Sequence, residues 1–111
     1  MASSCKEASA VYITIDSSQK AEELAKGLVD SELAACVNII PSVKSVYKWE
    51  NQVHVDEELL LMVKTRSELI PSLTEWVQNN HPYDCPEVIS VPITGGNPAY
   101  LQFVTDSTKN P

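Results

Sequence analysis

The chain has 111 residues, 43% hydrophobic and 21% charged, the composition of one globular domain long enough to close a two-layer core without staples. Its net charge of −7 argues against nucleic acid or anionic membrane as the main partner, since both need a basic footprint. No unbroken apolar run is longer than that of Leu59 to Val63, which is far too short to span a bilayer.

Three cysteines (Cys5, Cys36, Cys85) stand at wide spacing, with no CxxC and no even framework, and read as reduced thiols in a cytosol-like compartment. The opening MASSCKEASA lacks an apolar h-region, so no secretory signal is visible and a cytoplasmic location is expected, although a leader already removed would leave no mark. Residues 1–9 are small, polar and unpatterned, which predicts a frayed tail; residues 10–107 form the expected single domain, and 108–111 a second short tail.

Val11 to Ile15 alternates cleanly and is rich in β-branched residues, a strand. Asp16-Ser17-Ser18 then offers cap candidates, with Gln19 spaced as a capping-box partner to Asp16. Ala21, Leu24, Ala25, Leu28 and Val29 follow as one helical stripe, within which Gly27 suggests close packing on a sheet. The helix is predicted to end near Ser31 to Ala34.

Ala35 to Thr65 reads as two long β arms around a turn at Glu50-Asn51. Pro41 removes a ladder donor, so the first arm is expected to bend at Pro41-Ser42 and resume at Val43. A two-residue turn sets Lys44 opposite Glu57 and Tyr47 opposite His54, and asks Asn51 for positive φ, with Glu50 a poor neighbour for it. Arms of roughly 13 residues span about 43 Å, whereas a helix of roughly 15 residues covers about 22 Å. The distal half, with Val46, Tyr47 and Trp49, therefore lies beyond helical cover and is expected to pack against another subunit or to bind a partner.

A second helix begins near Ser67, tolerates Pro71 in its first turn, and carries a stripe of Ile70, Leu73, Trp76 and Val77 before His81-Pro82 ends it. A proline-braced loop leads to a last strand around Val88 to Ile93, which Pro92 assigns to an edge. Asn97 caps a short helix from Pro98 to about Asp106, with Leu101 and Val104 inward. The order β-α-β-β-α-β plus a helix predicts an α+β ferredoxin-like sandwich with an extended hairpin, first and third strands central, second and fourth at the edges.

Local motifs for chemistry are few. His54, His81, Cys36, Cys85 and Glu87 are possible metal donors, but only His81 and Cys85 lie close in sequence. The blander readings are a histidine bonding a carbonyl near a helix terminus for His81 and a buried small hydrophobe for Cys36. No nucleophile motif occurs, so no catalytic residue is assigned and no enzyme activity is expected. Lys64, Tyr83, Glu87, Tyr47 and Trp49 sit nearest the hairpin and proline loop, where an intersubunit cleft could gather them, with Lys64 pairing Glu87; the blander and preferred reading of the same residues is an interface salt bridge with aromatic packing.

Leu33-Ala34-Ala35-Cys36-Val37-Asn38-Ile39-Ile40-Pro41, Tyr47-Lys48-Trp49, Lys64-Thr65, His81-Pro82-Tyr83 and Pro86-Glu87-Val88, taken together and in order, resemble the CutA family of divalent-cation-tolerance proteins, its eukaryotic branch most closely. The resemblance spans about Val11 to Thr105. It implies a homotrimer with hairpins pairing between subunits, and a role in metal tolerance with copper or another divalent cation as ligand, none obligatory. It also implies a possible protein partner, since animal members are linked to acetylcholinesterase anchoring. A regulatory trimer resembling the PII signalling proteins, holding a small anion or partner protein without metal, is the competing expectation. Bacterial members bind copper through a late strand-one cysteine and a histidine pair; here that strand ends Ile13-Thr14-Ile15 and the pair reads Asn80-His81, so only His81 carries over. The family's turn usually has glycine where this chain has Asn51.

Overall fold

The computed structural model describes residues 7–111. Alternating apolar residues build four strands: β1 (Ala8–Ile15), β2 (Cys36–Trp49), β3 (Gln52–Arg66) and β4 (Val88–Ile93). Three helices, α1 (Ser18–Asp30), α2 (Ile70–Asn80, entered through a 3₁₀ turn, Ser67–Leu69) and α3 (Pro98–Asp106), complete the chain. The sheet is ordered β2-β3-β1-β4, and every pair is antiparallel. This is the ferredoxin-like α+β sandwich that the element order predicts. Pro41 and Pro92 both fall on edge strands, where a missing donor costs least.

The main core lies between one sheet face and helices α1 and α2. Val11, Ile13 and Ile15 of β1 and Leu61 and Val63 of β3 meet Leu24 and Leu28 of α1 and Leu73 and Val77 of α2, all buried. Val29, expected in the stripe, is 41% exposed: it lies about 80° around the helix from Ala21, past the edge of the buried face. The α1 cap is Ser17, whose hydroxyl accepts from the Lys20 N–H at 3.1 Å, rather than an Asp16–Gln19 box. Gly27 does mark a close approach, but to a helix: a Cβ there would stand 2.5 Å from the Trp76 ring of α2.

Neither terminal expectation holds among the described residues. Ala8 and Ser9 belong to β1, paired with Arg66 and Thr65 on one side and Ile93 and Pro92 on the other. Their small side chains carry no strand signal because Ala8 is packed under Val104 and Leu101 of α3, in a second core shared with Ala35 and Ile93. Residues 1–6 of that stretch lie outside the described residues. At the other end, the buried guanidinium of Arg66 donates to the Thr108 hydroxyl (2.9 Å), the Thr108 carbonyl (2.6 Å) and Asn110 (3.3 Å). Lys109 N–H also donates to the Glu32 carbonyl at 2.9 Å, so residues 108–110 are tied down by backbone and side-chain bonds that composition does not reveal.

The hairpin outruns its domain. β1 pairs with β3 only from Leu59 to Arg66, so Val43–Trp49 and Gln52–Glu58 project as a two-stranded arm, giving extents of 50 × 25 × 22 Å. Lys44 stands opposite Glu57 and Tyr47 opposite His54, as a turn at Glu50-Asn51 requires. Between the Ile40–Leu60 and Val43–Glu58 pairs, Pro41 and Ser42 oppose Leu59 alone, a bulge with Ser42 at φ 64°. Both turn residues have positive φ, 51° at Glu50 and 64° at Asn51. Alternation divides the arm into an aromatic face with Tyr47 and Trp49 and an aliphatic face with Val46, Val53 and Val55. Trp49 is 56% and Val53 67% exposed, so neither face finds cover within the chain.

Candidate functional site

Where the arm leaves the sheet, the loop after α2 folds against it. Proline at position 82 holds His81 extended (φ −94°, ψ 145°) and ends α2. The His81 ring turns inward, 8% exposed, with Nε2 donating to the Thr14 carbonyl at 2.8 Å and Nδ1 accepting from the Tyr83 N–H at 3.1 Å. These two partners assign the Nε2–H tautomer and use both ring nitrogens. Tyr83 stands edge-on to the imidazole, centroids 4.6 Å apart, and its hydroxyl donates to Glu58 at 2.7 Å.

A second tyrosine–carboxylate pair lies next to it. Tyr47 donates to Asp56 and stacks on His54, centroids 5.4 Å apart. Asp56 and Glu58 are alternate residues of β3 and so share a face. Burial, then the hydrogen bond and charge of Glu58, raise the Tyr83 hydroxyl well above the ordinary tyrosine range. The Asp56 hydrogen bond raises that of Tyr47. Both phenols are thereby held as donors.

The metal donors expected from sequence are His81 and Cys85. Both lie in this loop, His81 buried and Cys85 exposed. A metal ligand needs a free imidazole lone pair, and the backbone occupies both His81 nitrogens. Among the described residues, no group of three or more His, Cys, Asp or Glu converges to hold a metal ion. Within the single chain the donor set therefore does not fit a resident metal. His81 is a carbonyl-bonding histidine, although its carbonyl belongs to β1 and not to a helix terminus.

Lys64 and Glu87 are separated. Lys64 pairs in register with Ala10, while Val88, next to Glu87, pairs with Ile13. That offset is about 10 Å along the strands, with β1 between them, so an ion pair of the two would need two protomers. Within the chain, the Lys64 ammonium donates to Asn38 and approaches the Cys36 thiol at 3.9 Å. Cys36 is half-buried and not a core thiol. Burial and a hydrogen bond with Cys36 raise the hydroxyl of Tyr100 on α3. On the helical side, a cleft of about 550 Å³ opens between α1 and α2, lined by Lys20, Glu23, Gly27, Trp76, Asn80 and Pro82 among others.

Sequence reasoning missed Asp56, Glu58, Asn38 and Tyr100. Asp56 was within reach of it, since register sets it diagonal to Tyr47. Tyr83–Glu58 and Tyr100–Cys36 join distant segments and left no local signal.

A ferredoxin-like sandwich with an overlong central hairpin and a loop docked at its root defines a narrow class of small α+β protein. A family model described as CutA1 divalent ion tolerance protein matches residues 9–107, and the chain belongs to that family. It is 50% identical over 100 residues to chloroplastic protein CutA of Arabidopsis thaliana, covering 90% of this chain and 55% of that protein. It is also 46% identical to the divalent-cation tolerance protein CutA of Thermus thermophilus, covering 88% of this chain and 95% of that one. The chain thus spans about half of the plant relative's length and nearly all of the bacterial one's. The crystal structure of CutA1 from Oryza sativa superposes with a TM-score of 0.94 at 45% identity, covering 98% of this chain and 100% of that chain. Among the described residues no helix is long and apolar enough to cross a membrane.

Proposed function

We propose that this chain is the protomer of a trimeric binding protein that serves divalent-cation tolerance. The observation that carries this reading is the hairpin arm, whose aromatic and aliphatic faces both leave large side chains uncovered. Such an arm is an aggregation liability in a monomer and an assembly element in an oligomer. The divalent ion tolerance for which the family is named supports the cation half of the reading. With His81 committed to backbone partners, copper or another divalent ion would draw on Cys85 and on donors brought by a second protomer.

Sedimentation equilibrium at micromolar concentration tests the assembly: a mass of three chains is expected, and a stable monomer would overturn it. Isothermal titration of the reduced protein with Cu(II) and Zn(II) tests the cation. Saturable binding weakened in Cys85→Ser supports it, and the absence of saturable heat rejects it. The occupied His81 nitrogens favour a second reading, a PII-like regulatory or scaffold trimer that takes a small anion or a protein partner through Lys64. A thermal shift with inorganic phosphate that Lys64→Ala abolishes is its signature, and equal shifts in both proteins would exclude it.

A further inference from the structure

Cys36 and Lys64 are direct cross-strand partners at the root of β2 and β3, the end remote from the turn. Directly opposed residues hold their Cβ atoms about 4.5–5.5 Å apart, so a long lysine chain easily reaches a neighbouring thiol. Here it does: Nζ lies 3.9 Å from Sγ, held on that side by Asn38, the next residue of β2 on the same face. Cys36 itself is half-buried. Cys85, the other described thiol, is exposed in the loop after α2, which His81 ties to Thr14 at the opposite end of β1 from the register of Cys36.

We infer that Cys36 and Lys64 are a redox-responsive cross-strand pair that closes to a sulfenamide under peroxide. Sγ attacks the peroxide, an S–O bond forms as the O–O bond breaks, and water leaves after proton transfer, giving the sulfenic acid. The Nζ lone pair of the deprotonated amine then attacks sulfur; the S–N bond forms, the S–O bond breaks and a second water leaves. Thiol, amine and one peroxide become a sulfenamide and two waters, with sulfur oxidised and peroxide reduced. A thiol reductant reverses the bond. Small peroxide reaches a half-buried sulfur more readily than a bulky protein thiol does. The adjacent amine intercepts the sulfenic acid before further oxidation.

The test treats a Cys5→Ser/Cys85→Ser protein with excess hydrogen peroxide, enough to carry an unprotected thiol past the sulfenic acid, and reads intact mass and peptide maps. A species lighter by two hydrogen atoms, with the Cys36 and Lys64 peptides joined and separable by dithiothreitol, is expected. Lys64→Arg keeps the charge but not the nucleophile, and it is expected to lose the crosslink and accumulate sulfinic acid at Cys36. Equal sulfinic acid in both proteins, no oxidation at Cys36, or a disulfide between two chains would each overturn the inference.

Discussion

Gly27 shows how one missing side chain fixes a helix pair. The Trp76 ring occupies the space a Cβ would need, with Cη2 at 2.5 Å and Cζ2 at 2.7 Å from it. Alanine is the better helix former by about 1 kcal/mol, but overpacking typically costs about 1–3 kcal/mol, and the rigid indole makes the clash win. Gly27→Ala is expected to destabilise by about 1 kcal/mol in urea unfolding; in a Trp76→Leu background the same change should turn neutral or stabilising. Tyr83 gives a residue-scale pH dependence. Its pKa in the folded chain is raised above the unfolded value of about 10. Below pH 10 both states keep the proton and the contribution is fully present. As pH rises further, the unfolded chain releases its proton first, so stability falls toward the folded pKa. Thermal melts across that range should fall more steeply for wild type than for Tyr83→Phe.

At the scale of elements, the hairpin combines a favourable register with a strained turn. The paired residues follow the sequence pattern, yet Glu50 is forced to φ 51°, a region that asparagine and glycine tolerate better. Glu50→Asn is expected to stabilise the fold by about 0.5–1 kcal/mol, read as a higher urea midpoint at unchanged slope. A lower midpoint would show that Glu50 makes a contact outside the turn. α3 behaves differently from α1 and α2. It packs on the sheet end that carries Ala8 and Ile93, and Arg66 secures the segment after it. A small helix with one fully buried side chain, Val104, owes its position to those anchors as much as to its own stripe.

For the whole molecule, the consequence of the arm is assembly. If the proposed trimer forms through it, charge placed on the aliphatic face should break it without unfolding the domain, because Val46 and Val53 are 65% and 67% exposed in the single chain. Val46→Lys/Val53→Lys is expected to sediment as a folded monomer with unchanged far-UV circular dichroism. A protein that keeps its mass would place the interface elsewhere. The strongly acidic balance does not oppose association, since the aliphatic face also carries Lys44 and Lys48 opposite Glu57 and Val53.

Alternation, proline placement and turn spacing determined the strands, their order and the hairpin register, because those signals are local and side-chain period is tied to backbone geometry. The likeness of five short segments to one family was legible too, and it fixed the family that the comparisons show. What only the tertiary structure decided is what each polar residue touches. His81 was readable as a carbonyl-bonding histidine, but not that Thr14 would be its partner. Within the chain Lys64 meets Asn38 and Cys36, contacts set by strand register, which local sequence did not reveal; its pairing with Glu87 would belong to a contact between two chains. Ala8, Ser9 and Thr108 looked like tail residues, since small and polar side chains carry no period; their burial comes from α3 and Arg66, which lie far away in sequence.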